Sequence, residues 1–299
     1  MEVTNTSELP SENVTLKPAL LLLLLACLWG GNAVAVKIAL RDTRPFMLAG
    51  LRFALGALTI GFWGIFSKID LKPQREEISY LVILSLIFAA QICTFTFGMD
   101  LTLAGRASVF INTYPFFVAV LAHFSISNDR LNIRKMVGLL LAFSGMFLVF
   151  RDKIGIDSAR VMGDSLVLVS AFLLGAQAVY VKRLVQRINA YKLLFWEMIL
   201  GLVPFFGLSL IFERSSPHSI SLNLILALLY QGIAVAGFCF AAWTLLLKRH
   251  SASKLSAFLF ATPLFGVGLS SMILHEAVTS YLIIGAILVA LGIYVVNKY

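Results

Sequence analysis

This 299-residue chain is short of charge. Asp, Glu, Lys and Arg make up 13% of it and hydrophobic residues 60%, against about 25% and 45–50% in a soluble globular domain. That shortfall excludes a soluble fold. Cysteine is scarce too. Cys27, Cys93 and Cys239 each fall inside an apolar run, without paired or ligand spacing, which excludes a disulfide framework or a zinc site. The four histidines, His123, His218, His250 and His275, lie at the ends of apolar runs or between them. His275-Glu276 lacks the second histidine of a zinc protease, and no G-x-S-x-G or G-x-x-x-x-G-K-[ST] occurs, so neither an intramembrane hydrolase nor direct use of ATP is supported. No metal and no cofactor is expected.

What is present is length of apolar chain. Mean hydropathy is +0.92. A bilayer core about 30 Å thick takes roughly 20 apolar residues per helix. Ten spans are predicted: Pro18–Leu40, Pro45–Ser67, Ile78–Gly98, Leu103–Phe124, Ile133–Phe150, Met162–Val181, Ala190–Phe212, Leu222–Leu247, Ala252–Leu274 and Ser280–Val296. The fold class is therefore an all-α membrane protein. The Leu20–Leu25 run has no basic leader and continues to about Leu40, so it reads as a retained first helix, not a cleaved signal. Asn5-Thr6-Ser7 and Asn13-Val14-Thr15 match the glycosylation pattern by chance if the tail is cytoplasmic.

The net charge of +9 sits between apolar runs and not in one patch, which fits membrane orientation and no nucleic acid. With ten spans both ends share one side. That side carries fifteen Lys and Arg against seven on the other. The bias places both termini in the cytoplasm of an inner (plasma) membrane protein.

The chain also repeats. Trp29-Gly30-Gly31-Asn32-Ala33-Val34-Ala35-Val36-Lys37 aligns with Leu174-Gly175-Ala176-Gln177-Ala178-Val179-Tyr180-Val181-Lys182 at an offset of 145. Ala104, Ser108, Phe110, Pro115 and Phe117 recur as Ala252, Ser256, Phe258, Pro263 and Phe265 at 148, and Asp129, Gly138 and Gly145 as Glu276, Gly285 and Gly292 at 147. Two related halves with five spans each must face opposite ways, as in carriers with a site near the midplane. The expected organisation is a cytoplasmic tail at 1–17, a first repeat at 18–150, a connecting loop at 151–161 and a second repeat at 162–297.

These residues resemble the drug/metabolite transporter superfamily, specifically its ten-helix EamA-type branch. The likeness rests on Leu28-Trp29-Gly30-Gly31-Asn32, Arg52-Phe53, Ala104-Gly105, Tyr114-Pro115-Phe116-Phe117 and Asn128-Asp129-Arg130-Leu131 before Gly138/Gly145. It rests equally on Thr262-Pro263-Leu264-Phe265, His275-Glu276 and Gly285/Gly292. The resemblance implies an inner-membrane carrier moving small organic metabolites, often amino acids, outward; it does not carry over the substrate. The four-helix multidrug relatives hold a buried Glu in their first helix that trades protons for cations. Pro18–Leu40 contains no acid, so that exchange is not available at that position here.

Candidate pathway residues follow from polarity in apolar surroundings. Arg52 and Glu197 are the charges deep in spans, at matching positions 145 apart. They read as a gating or substrate-sensing pair, or as a protonatable Glu197 that serves coupling, or else as an Arg reaching the interface or capping helix ends and a Glu in a wet vestibule. Asn32 and Gln177 are the amides of the repeated motif and face a cavity or bond across helices. Pro115 and Pro263 kink equivalent helices, which brings Asn112, Tyr114 and Thr262 to the pathway or only bends the bundle. Trp29, Tyr180 and Trp243 offer aromatic lining, and Gln91 adds polarity. Asp129 and Glu276 read as helix-start acids. The Gly138/Gly145 and Gly285/Gly292 stripes mark tight packing or a subunit contact, leaving monomer or homodimer open. The leading reading is a secondary exporter working by alternating access; an uptake or exchange permease is the alternative, and a channel or intramembrane enzyme lies further off.

Overall fold

A computed structural model of the chain describes residues 13–102, 107, 110–150, 160–213, 220–266, 268 and 280–298. Among them there are ten helices and no strand: α1 (Leu16–Ala39), α2 (Pro45–Phe66), α3 (Ile78–Leu101), α4 (Tyr114–Ser125), α5 (Ile133–Phe150), α6 (Val161–Leu184), α7 (Ala190–Phe212), α8 (Leu222–Arg249), α9 (Ala252–Phe258) and α10 (Ser280–Asn297). Six of these, α1, α2, α3, α6, α7 and α8, carry stretches long and apolar enough to cross a membrane. Large apolar side chains point outward along them, among them Leu58, Phe62, Leu86, Val203 and Leu210. An exposed apolar surface of this extent suits lipid, not water. The architecture is that of a multi-pass membrane protein.

Helix ends follow local chemistry. Pro45 opens α2, where its missing N–H costs nothing. The first free amides of α2, Phe46 N and Met47 N, donate to the buried Glu213 carboxylate at the end of α7, at 2.8 and 2.9 Å. Ser221 and Asn189 cap α8 and α7 through Leu224 N and Tyr191 N.

The fourth and ninth spans differ from the continuous helices expected. A turn at Asn112–Thr113 precedes α4, whose first turn holds Pro115. A 3₁₀ turn at Leu259–Ala261 follows α9, and helix resumes at Thr262, next to Pro263. Proline removes a donor, and the winding changes just before each one: a turn in the fourth span and a 3₁₀ turn in the ninth. The remainder of the ninth span beyond Gly268, with His275 and Glu276, lies outside the described residues, as do His218 and the loop at 151–159.

α1 packs against α8 and α9, α6 against α3 and α4, α2 against α7 and α8, α3 against α7, and α5 against α10. Small residues set the close crossings. A Cβ on Gly30 would stand 2.8 Å from Gly266 N and Thr262 O, and one on Gly175 2.8 Å from Phe117 Cβ, so only glycine admits these approaches. The glycine stripes of α5 and α10 face each other within the chain: a Cβ on Gly138 would lie 2.8 Å from Gly292 O. Phe53, Phe88 and Phe205 join α2, α3 and α7, with ring centroids 4.7 to 5.8 Å apart.

Asp129 does not act at the start of its own following helix, as expected. It sits 1% exposed at the N-terminus of α9, accepting from Ser253 N at 3.0 Å, Ser251 Oγ at 2.6 Å, Ser253 Oγ and Lys135 Nζ at 2.6 Å. The acid favours a helix start, but the nearest one in space belongs to the other half of the chain. Burial alone would raise its carboxyl; the Lys135 ammonium and the two hydroxyls outweigh that and hold it below the ordinary carboxylate range. Lys182 is also buried, and its ammonium donates to His250 O at the end of α8 at 2.8 Å.

Candidate functional site

Between the helices lies a cavity of ≈ 280 Å³. Its wall is built on helical spacing. α1 contributes Trp29 and Asn32, α2 Arg52 and Phe53, α3 Gln91, Ile92 and Phe95, α7 Leu194 and Glu197. α6 contributes Leu174, Gln177, Ala178 and Val181, the i, i+3, i+4, i+7 stripe of one face. The broken spans supply Ile111, Asn112 and Tyr114 on one side, Leu259 and Thr262 on the other. Each break before a proline therefore borders the cavity.

Of the residues singled out from the sequence, Trp29, Asn32, Gln91, Asn112, Tyr114, Gln177, Trp243, Thr262, Arg52 and Glu197 all stand in this lining. Tyr180 does not. It lies off the α6 stripe and packs with the apolar core, because one residue along a helix turns the side chain by about 100°.

Arg52 and Glu197 face the same cavity without forming an ion pair. Ion pairs elsewhere join Lys135 to Asp129 and Lys192 to Glu77. Glu197, 1% exposed, accepts instead from Gln177 Nε2 at 2.5 Å. The Arg52 guanidinium lies 4.5 Å from the centre of the Phe53 ring, a cation–π placement. Gln91 is tied to α6, donating to Ser170 Oγ at 2.9 Å while that hydroxyl donates to Gln91 O at 3.0 Å.

The hydrogen-bond ledger singles this region out. Seven buried side-chain atoms among the described residues have no partner: Asn32 Oδ1, Arg52 Nε, Tyr114 OH, Gln177 Oε1, both amide atoms of Gln231, and Asn297 Oδ1. All but the last belong to the cavity lining. Buried polar groups are bonded almost without exception in folded proteins, and those left open mark places for water or a ligand. Aromatic rings stand among them: Trp29 meets Trp243 edge-on at 6.0 Å and Phe240 at 6.3 Å.

Sequence reasoning missed Gln231, Phe240 and Thr244 on α8. The reason is winding. Tyr230–Cys239 is a π-helix within α8, with i→i+5 bonds. In a regular helix the nine residues from Gln231 to Phe240 would leave the two about 180° apart. The wider turns bring Gln231, Val235, Ala236, Phe240, Trp243 and Thr244 to one cavity wall. The one available signal was an amide within an otherwise apolar run. Gly232 permits the arrangement, since its Cβ would lie 2.4 Å from Leu55 Cβ on α2.

The arrangement is a small, largely apolar chamber within a helical bundle, holding one cation, one acid and several open amides. In sequence the chain is similar to a family of transporters. The EamA-like transporter family matches residues 16–151 and again 161–298. An uncharacterized transporter of Bacillus subtilis (strain 168), YoaV, is 30% identical over 269 residues, covering 89% of this chain and 92% of that protein. A probable amino-acid metabolite efflux pump of Escherichia coli (strain K12) is 29% identical over 288 residues, covering 93% and 94%. A solved crystal structure with 19% identity superposes with a TM-score of 0.83 over 94% of this chain and 98% of its own, which speaks for the fold. By the family match along both halves, the chain belongs to the EamA-like transporter family of the drug/metabolite transporter superfamily.

Proposed function

We propose that this transporter exports small organic metabolites, amino acids or related compounds, across the inner membrane by alternating access around the central cavity. The observation that carries the reading is the set of unpartnered buried polar groups, concentrated on that cavity. A packed structural core has no use for open amides; a compartment that takes up and releases a polar solute does. At ≈ 280 Å³ it stands at the small end of ligand pockets, about 300–1,000 Å³. One lining cation, Arg52, suits a small solute better than an organic phosphate.

The same reading takes the two halves, 18–150 and 162–297, as inverted repeats. Helix contacts support it, because exchanging halves maps them onto themselves: α1–α8 onto α6–α3, α1–α9 onto α6–α4, α2–α8 onto α7–α3. The family's double match supports it too. Basic residues favour cytoplasmic termini. Arg52, Glu197, Asn32 and Gln177 then act at the substrate, with the proline breaks beside Asn112, Tyr114 and Thr262 as the places where the halves bend. The export direction draws on the efflux name of the Escherichia coli relative. Family membership and the absence of any catalytic motif argue against an enzyme.

A growth-tolerance screen across amino acids and related metabolites, with and without expression, tests the proposal. Expression should raise tolerance to at least one compound. Greater accumulation instead would reverse the direction to uptake, and no effect on any compound would remove the export reading.

A further inference from the structure

Gln231 is 1% exposed, and neither its Nε2 nor its Oε1 has a hydrogen-bond partner. The other two glutamines of the lining each give their Nε2 to a neighbour, Ser170 or Glu197. Burying a wholly unbonded amide costs stability, and here the chain also departs from regular helix for ten residues to turn that amide inward. Such a departure inside a helix frequently accompanies a functional site.

Arg52 is its neighbour. A Cβ on Gly232 would stand 3.2 Å from Arg52 O, so α2 and α8 touch where these two side chains enter the cavity. Arg52 Nε also lacks a partner, and the lining acid, Glu197, is bonded by Gln177. A cation that forms no ion pair with Glu197 and an open amide therefore enter the cavity from two helices in contact. A guanidinium offers a planar fork of donors that matches a carboxylate, and an amide N–H adds a third donor.

We propose that Arg52 and Gln231 form a carboxylate subsite, holding the acid group of the transported molecule while its apolar body lies against Trp29, Phe240 and Trp243. This rests on the transport reading above and adds which chemical group is read, and by which residues. Arg52 then supplies the charge that favours a carboxylate over a simple amine of the same shape, and Gln231 the further donor that strengthens it.

The test uses the purified full-length chain and its own tryptophans, since Trp29 and Trp243 stand in the lining. Tryptophan fluorescence is titrated with 3-phenylpropionate, L-phenylalanine and phenethylamine. The two carboxylates should bind, and phenethylamine about tenfold or more weaker, the scale of one charge-assisted hydrogen bond. Gln231→Leu, nearly isosteric, should weaken both carboxylates about tenfold and leave phenethylamine unchanged. Gln231→Glu places an anion beside Arg52 and should abolish the preference for the carboxylates. Equal binding of phenethylamine and the carboxylates, no binding of either carboxylate, or carboxylate affinities untouched in both variants would overturn the subsite. The export reading falls on the growth screen alone, so the two failures are distinguishable.

Discussion

Gln177 Nε2 donates to Glu197 Oε1 at 2.5 Å, and the acid is thereby tied to α6 and not to Arg52. Gln177 comes from the repeated motif, 145 residues beyond Asn32, while Asn32 Oδ1 stays unbonded in the same cavity. The two motif copies thus do different work in this conformation. One copy holds an acid; the other is open.

Gln177→Leu should therefore leave Glu197 buried without its donor. The expected cost is about 1–3 kcal/mol of stability, together with loss of transport. Replacing both partners, Gln177→Leu with Glu197→Leu, should restore much of the stability, since an apolar pair leaves nothing unbonded, yet leave transport lost. Melting in detergent beside flux in vesicles separates the two effects. Recovered transport in the double variant would show that the pair is structural only.

The Asp129 cluster predicts a pH dependence. The carboxyl lies below its ordinary range in the folded chain, so the folded state favours the charged form. Its stabilisation is complete above the ordinary carboxylate value of about 4 and is lost as pH falls through the lower folded value. Asp129→Asn should cost about 3 kcal/mol at neutral pH, because Lys135 is left buried without its partner. The variant should also lose the part of the acid-induced destabilisation that belongs to this group. Melting curves from pH 7 to pH 3 check both; parallel curves for the two proteins would refute the assignment.

Helix approach at Gly30 supplies a third prediction. Its would-be Cβ meets backbone atoms at 2.8 Å, whereas one on Gly207 meets nothing within 4 Å. Gly30→Val should cost about 2 kcal/mol or more, and Gly207→Val should stay within about 0.5 kcal/mol. Yield and melting of the purified variants give the comparison. Equal behaviour would mean that α1 and the helix that resumes at Thr262 are not in close contact in the membrane.

Most helix positions were legible beforehand, because an apolar run of about 20 residues has few alternatives in lipid. Pro45, Ser221 and Asn189 mark starts by chemistry readable one residue at a time. The cavity-facing set was legible where repetition or charge flagged it, as at Asn32, Arg52, Gln177 and Glu197. Tyr180 was misplaced because it stands within the repeated motif yet off the stripe. Gln231 was missed because its orientation depends on π-winding, which no periodicity count at 3.6 residues reveals. The role of Asp129 was half legible: an acid at a helix start, but not which helix.

Composition and hydropathy were enough to require a helical membrane protein, since backbone polar groups in lipid must be satisfied within each segment. Repeated motifs were enough to identify the family. Partner choice was not contained in the linear order. That Glu197 bonds Gln177 and leaves Arg52 open, that Asp129 caps α9, and that Gln231 turns inward all depend on which groups come within about 3 Å of one another. Those distances arise only when ten helices pack at once, with glycine crossings and proline breaks setting how near each pair can come.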